Sequence, residues 1–524
     1  MKFVSDPPIE VKIRKMKERI RWQEPPLVKR GIDQTRLVLD DGADENPEFS
    51  FLVIGDSGSS SHRTHNPQRQ IAELMLPHRD SCRFVMHTGD VVYLVGSSEF
   101  YLTNFIEPYR EFLVGGEQPK RIAYERMVFN KPFLVVPGNH DYYDLPFFFG
   151  LMAQTTLPLR RLFRFQSDLD IGWHGSSQGK AYAQAFLDFL IGLEPSGELG
   201  HHLDSHYTAH TETGRCLRYQ PGHFTRLPNR YYTFRSGGID FFALDSSTFN
   251  DPLPLPTTKE GQAYRRELEI RRDELEQQKQ QILEGSTNLN PDKPDEAEQL
   301  DDIPTKLEQI DERLLDIDKQ LTSNETTVID YEQLNWLRER LIESWNTAEV
   351  RGRVIYLHHP PYVTEATKWD QAQTLAIRHY LRQVFDGVSD AIGELAQGRS
   401  IVDLVLTGHA HCLEYLRTGD TGHADSHTNW IVCGGSGYSL RRQRSEGPEL
   451  TESFGGTKSG KEGIVARSQL FLGRHGHGSH KRQPYSFVRI DVQDGKPPKF
   501  RIRPFIAERF KRQWHHSELD SFVI

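Results

Sequence analysis

Five short apolar runs in this chain all end the same way. FLVI (51–54) stops at GDSG, and the grammar recurs in FVMHTGD (84–90), FLVVPGNHD (133–141), VIYLHHPPY (354–362) and LVLTGHAH (404–411). Each run is rich in β-branched and aromatic residues, is broken by Gly or Pro, and delivers Asp, Asn or His at once. Such runs predict buried strands. Between the first two lies QRQIAELMLPHR, and after the second comes EFYLTNFIEPYREFL, both with apolar residues at helical spacing. Strand, polar loop, helix, strand predicts an α/β sheet whose carboxyl-end loops carry the polar residues, where ligands bind in such folds.

Two segments interrupt the pattern. Residues 151–227 hold many His, Arg and aromatic residues and few clean strands, and are expected to form a lid-like insertion before the strands RYYTF and DFFALD. Residues 259–328 carry Leu307, Ile310, Leu314, Ile317 and Leu321 spaced by three and four, an a/d seam. Leu268, Leu275 and Ile282 lie seven apart on the partner stretch, with Arg271 and Gln278 at the other seam position, and GSTNLNPDKPDE is turn-rich. The simplest expectation is an antiparallel coiled-coil hairpin within the chain. Self-association or capture of a partner through it is the alternative. The organisation expected is an N-terminal extension (1–48), an α/β domain in two parts (49–258 and 329–512), the hairpin insertion (259–328) and a tail (513–524).

Charge and composition exclude several classes. With 36% hydrophobic and 26% charged residues, the 524-residue chain can bury a sizeable core. No apolar run approaches the roughly 20 residues that span a bilayer, and the N-terminus lacks the apolar stretch of an export signal. The four cysteines lie far apart, which excludes a thiolate zinc ribbon and fits a reducing cytoplasm. The net charge of −9 weighs against a polynucleotide partner. Residues 259–345 hold 12 Lys/Arg and 23 Asp/Glu, read as the solvated face of helices. Residues 437–512 hold 17 and 7, which either draws anions toward the nearby histidine motif or is ordinary surface. The run containing His475, His477 and His480 reads as a loop that binds metal only adventitiously.

The residues that follow the strands are Asp56, Asp90, Asn139, His140, Asp141, His358, His359, His409 and His411. Taken singly, an Asp after a strand is a cap and a His a satisfied neighbour. Together, hard oxygens and imidazoles without thiolates suit Fe, Mn or Zn. They are too many for one ion. A bridging carboxylate would let two ions sit about 3.5–4 Å apart, the arrangement used for in-line displacement at phosphorus.

The order GDSG, GDVVY, GNHD, LHHPPY, GHAH resembles the calcineurin-like metallophosphoesterase superfamily over about 51–150, 229–250 and 329–440. Gly58 stands where most members carry a metal-binding His, and Tyr93 where purple acid phosphatases carry a tyrosinate, so that subgroup is the nearest resemblance. The resemblance implies a four-layer α-β-β-α sandwich of two mixed sheets. It implies one metal held by Asp56, Tyr93 and His411 and another by Asn139, His358 and His409, with Asp90 bridging; iron would pair with Fe, Mn or Zn. Tyr93 has a rival reading as an aromatic that merely packs at the strand end. His359 is expected beside the substrate or behind the ligands. His140 is the expected general acid, with Asp141 orienting it or capping the following turn.

The function so implied is hydrolysis of small phosphate esters, monoesters first, by in-line attack of hydroxide formed from a metal-bound water whose pKa falls from about 15.7 toward 7. A phosphodiesterase on nucleotides or nucleic acid is the alternative within the fold, which the basic segment keeps open. A scaffold using the hairpin to bind partners is the alternative outside it.

Overall fold

The computed structural model describes residues 4–42, 46–58, 66–145, 175–194, 197–286, 294–453, 462–476, 480–511 and 513–524. The opening of the expected lid, 151–174, and His477 lie outside the described residues.

All five apolar runs form strands, and they divide between two mixed sheets. In the smaller sheet Phe49–Ile54 runs parallel to Phe84–His87, which runs parallel to Phe133–Val135. Arg482–Gln493 pairs antiparallel on the other side of Phe49–Ile54 and leads outward to Lys499–Phe510 and Gln513–Glu518. In the larger sheet Leu404–Thr407 lies between Gly352–Tyr356 and Asn429–Cys433, parallel to both. Ile239–Ala243 runs parallel to Gly352–Tyr356 and antiparallel to Tyr232–Ser236.

Alternation along the central strands shows why they are apolar throughout. Val354 and Leu406 face the core between the sheets, whereas Ile355 and Val405 face the core under the helices Tyr331–Asn346 and Ala372–Ile392. A strand buried on both faces has no polar side to show. Four rings lock the sheets together: Phe51 lies 5.7 Å from Phe241, and Phe84 lies 5.5 Å from Phe234 and 5.4 Å from Phe241, edge to face. Helix Pro67–Arg79 covers the outer face of the smaller sheet against Arg482–Gln493 and Lys499–Phe510. The layers are therefore helix, sheet, sheet, helix.

The segment expected as an extension contributes to the body. Ile32–Leu39 enters the larger sheet between Tyr232–Ser236 and Gly214–Tyr219. Its apolar signal is weak because Gln34 and Thr35 are buried polar residues. Gln34 donates to the Ile20 carbonyl at 2.8 Å, and the Trp336 indole donates to Thr35 Oγ1 at 2.9 Å. Gly214–Tyr219 and Ala209–Thr211, inside the expected lid, complete the same edge.

Residues 259–328 contain two long helices, an outer one (Lys259–Ser286) and an inner one (Pro294–Thr322). Leu268 and Leu275 of the outer helix pack on Ile310, Leu314 and Ile317 of the inner. Arg265 donates to the Leu321 carbonyl at 3.0 Å, while Lys279 pairs with Asp311, so the helices run antiparallel. The reading of the acidic block as a solvated face fails on the inner helix. Glu308, Asp311, Glu312 and Asp316 are buried, because the helix lies between its partner and the α/β body. There Asp316 accepts from the Ala372 and Gln373 amides at 2.9 Å each, at the start of helix Ala372–Ile392. Lys319 pairs with Asp6 at 2.8 Å and Asp251 at 3.0 Å. Among the described residues no helix is long and apolar enough to cross a membrane.

Candidate metal centre

The carboxyl ends of both sheets meet at one buried point. Asp56, Asp90 and Asn139 arrive from the smaller sheet and His358, His409 and His411 from the larger. Asp56, Asp90, His409 and His411 all adopt positive φ, between 46° and 67°. Non-glycine residues hold that conformation only where the surroundings over-determine it, and it turns four side chains inward at tight corners.

Backbone approach leaves no slack around them. A Cβ on Gly138 would lie 2.0 Å from Asp90 Oδ1, and one on Gly58 would lie 2.5 Å from the Val91 carbonyl oxygen. Position 58 therefore has no room for a side chain, and the oxygen donor among the carboxylates is a phenol. Tyr93 Oη lies 2.9 Å from Asp56 Oδ1, 2.8 Å from Asp90 Oδ2 and 3.0 Å from His411 Nε2. Its ring is stacked on Tyr438 at 3.9 Å. Burial, then the Asp56 and Asp90 carboxylates, hold the phenol well above its usual range. Only a strongly charged cation would ionise it.

The acceptors face one another. His358 donates Nδ1–H to the Thr88 carbonyl at 2.9 Å, so Nε2 presents a lone pair. That lone pair meets Asn139 Oδ1 at 2.9 Å, His409 Nδ1 at 3.2 Å and Asp90 Oδ2 at 3.2 Å. His411 Nδ1 is likewise spent on the Ser439 carbonyl at 3.2 Å, aiming Nε2 inward, 3.4 Å from Asp56 Oδ1. His409 Nε2 has no hydrogen-bond partner. Lone pairs converging in a dry site need a positive charge among them. A proton can supply it: burial opposes charge on His358, yet the Asp90 and Asp56 carboxylates push its pKa up to about 9, so Nε2 offers its lone pair once a cation displaces that proton. The donor set fits metal cations: oxygens and imidazoles, their orientation fixed from behind.

His359 behaves as a neighbour of this set. Asn250 Nδ2 donates to its Nε2 at 3.3 Å, and its Nδ1 bonds Ser246 Oγ at 2.8 Å. Burial and the adjacent His358 keep its pKa well below the usual range. His140 sits over the centre with Nδ1–H donated to the Leu94 carbonyl at 2.7 Å, leaving Nε2 free. Its own amide donates to Asp90 Oδ1 at 2.9 Å.

Asp141 does not orient His140, contrary to one of the two expectations for it. Its carboxylate accepts from the Gly138, Asp90 and Val91 amides at 2.9, 3.0 and 3.2 Å. It clamps the loop that carries Asp90 onto the loop that carries Asn139.

Sequence reasoning missed four charged residues here. All four are buried: Glu308 and Glu312 of the inner helix against His140, Arg441 beside Tyr438, and Lys368 on Glu312. The signal present was the four-residue step Glu308, Glu312, Asp316, Gln320, a polar stripe on one helix face. Of the basic segment 437–512, Arg441 reaches the centre, while Arg482, Arg489 and Arg503 pair with Glu508, Asp491 and Glu518.

No protein-family pattern matches this chain. No curated protein sequence matches it. Solved structures similar to it include a Plasmodium protein described as GAP50, the anchor in the inner membrane complex, at 12% identity and TM-score 0.35, covering 90% of this chain and 89% of that one. A purple acid phosphatase from yellow lupin seeds is similar at 11% identity and TM-score 0.38, covering 92% and 54%. A structure of PhoD is similar at 12% identity and TM-score 0.39, covering 92% and 70%. At that depth these likenesses carry no functional weight, and the centre stands on its own residues.

Proposed function

We propose that the chain is a calcineurin-like metallophosphoesterase with a purple acid phosphatase-like ligand set, hydrolysing small phosphate esters, monoesters first. The observation that carries the reading is the convergence of lone pairs from Asp56, Asp90, Asn139, His358 and His411 on one dry point between the sheets. Asp56, Tyr93 and His411 would hold one cation and Asn139, His358 and His409 the other, with Asp90 shared. Two bound first-row cations would supply charge neutralisation of the ester and an activated water near neutral pH. The donors suit Fe, Mn or Zn.

The chain's own part is positioning and proton transfer. Thr88 and Ser439 carbonyls set the tautomers of His358 and His411, and Asp141 fixes the loop of Asp90. Burial works against a proton on His140, but Asp90, Glu312 and Glu308 together raise its pKa to about 9. His140 Nε2 therefore carries a proton at neutral pH, to be given to the departing alkoxide.

The test is metal content by elemental analysis with a visible spectrum on the same sample, then rates on p-nitrophenyl phosphate and its bis ester. About two first-row metals per chain and faster monoester cleavage are expected. Predominant diester cleavage would sink the monoester preference. A protein that takes up no Fe, Mn or Zn would sink the hydrolase reading.

A further inference from the structure

The inner helix brings two carboxylates against His140. Glu308 and Glu312 lie one turn apart, and Oε1 of each sits 3.6 Å from His140 Nε2, the nitrogen left free. Neither Oε1 has a hydrogen-bond partner. Their other oxygens meet two buried cations. Arg441 Nη2 lies 3.3 Å from Glu308 Oε2 and 4.0 Å from Glu312 Oε2, and Lys368 Nζ lies 2.7 Å from Glu312 Oε2.

Both cations are built into the centre's own loops. Lys368 lies in the segment that follows the strand delivering His358. The Arg441 amide donates to the His411 carbonyl at 3.0 Å, two residues beyond the Ser439 carbonyl that orients His411. A buried Lys and Arg side by side are costly unless an anion answers them. Here the answer comes from the helices between the two runs of strands: two carboxylates with four oxygens, facing Arg441, Lys368 and His140. A phosphate monoester dianion offers the same charge and a similar spread of oxygens.

We propose that Arg441 and Lys368 are the substrate-anion pocket of the metal centre. Glu308 and Glu312 fill that pocket as a built-in phosphate surrogate, so phosphate enters only when the inner helix withdraws. The inference rests on the hydrolase reading for its location and extends it to regulation. His140, Glu308 and Glu312 are close enough to share a cation, but Arg441 and Lys368 already neutralise the carboxylates, which favours the anion pocket.

The helix is docked in a way that permits withdrawal. Toward the body it presents Glu308, Glu312, Asp316, Lys319 and Gln320, groups that water can satisfy once they separate. Leu315 adds an apolar contact with Val4, Val95 and Tyr143. Ile310, Leu314 and Ile317 face the outer helix instead, so the two helices can move as one piece.

The test is calorimetric titration of the metal-loaded full chain with inorganic phosphate. The E308Q/E312Q variant should bind phosphate at least about tenfold more tightly than the wild type. Adding R441Q/K368Q to it should abolish the gain. Because neutralising two buried carboxylates can harm folding, D316A/K319A is the second variant. It loosens the docking remote from the pocket, keeps both glutamates, and should also tighten phosphate binding. Folded E308Q/E312Q or D316A/K319A protein with unchanged metal content and unchanged phosphate affinity would overturn the proposal. So would a third metal per chain that disappears in E308Q/E312Q. Tight phosphate binding without ester hydrolysis would sink the hydrolase reading and leave the pocket standing; hydrolysis with unchanged phosphate affinity in both variants would do the reverse.

Discussion

Asp90 joins the two halves of the centre: Tyr93 Oη, His358 Nε2 and the His140 amide all meet its carboxylate. Asp90→Asn keeps the shape and removes the charge, so it should lower bound metal and cost on the order of a hundredfold or more in turnover. Elemental analysis beside kinetics checks this, and near-normal values of both would refute the shared role. A second residue-scale prediction concerns Glu414, buried with its carboxylate accepting from the Thr364 amide at 3.0 Å and from the Thr364 hydroxyl. Burial outweighs those donors and pushes its pKa up from 4.5 to about 7. A carboxyl whose folded pKa is raised favours the folded state in its neutral form. That contribution is complete below about pH 4.5 and is lost as pH rises through about 7, an upper bound of about 3 kcal/mol. Glu414→Gln should therefore gain Tm over the wild type at pH 8 and little or nothing at pH 5; a gain equal at both would show that titration is not involved. At this scale the motif residues were legible because Asp56, Asp90, Asn139 and His409 each directly follow a Gly at a strand end, with the others close behind them in the same short motifs. Asp141 was legible as a residue but not as a clamp, since its three partners are backbone amides on two loops.

Strands and helices differed in how openly they announced themselves. The five apolar runs were readable because strands buried on both faces have nothing polar to hide behind. Ile32–Leu39 was not, because Gln34 and Thr35 find partners 14 and 301 residues away. The seam at Leu314 was plain at helical spacing, but the same helix's buried acidic face looked like surface. Charge alone cannot say whether a helix faces water or a counter-charge. The seam yields a prediction at this level. Leu314→Ala opens a cavity between the two helices and should cost about 2–4 kcal/mol there. Hydrogen exchange should quicken in Lys259–Ser286 and Pro294–Thr322 and stay unchanged in Phe49–Ile54 and Leu404–Thr407. Uniform loss of protection would mean that the helix pair is not separable from the body.

For the whole molecule the centre is a joint. Four of its candidate ligands, Asp56, Asp90, Tyr93 and Asn139, follow strands of one sheet and three follow strands of the other, and the His409 amide reaches across to Asp56 Oδ2 at 2.8 Å. Cations bound there would favour the folded chain by mass action, about 4 kcal/mol at a thousandfold excess over Kd. Chelation should thus lower Tm by several degrees, and Mn or Zn should restore it; a Tm indifferent to metal would argue that the sheets are held by Phe51, Phe84, Phe234 and Phe241 alone.

By itself the sequence determined the strand ends and the donors they carry, because burial and tight corners are local demands written into neighbouring residues. It also determined that two long helical stretches lie between the two runs of strands. Only the tertiary structure decided where those helices dock, since Glu308 meets Arg441 and Glu312 meets Lys368 across 133 and 56 residues. No spacing along the chain encodes such a meeting. It follows from the polar face of one helix being the part of the molecule that matches the charge of the pocket beneath it.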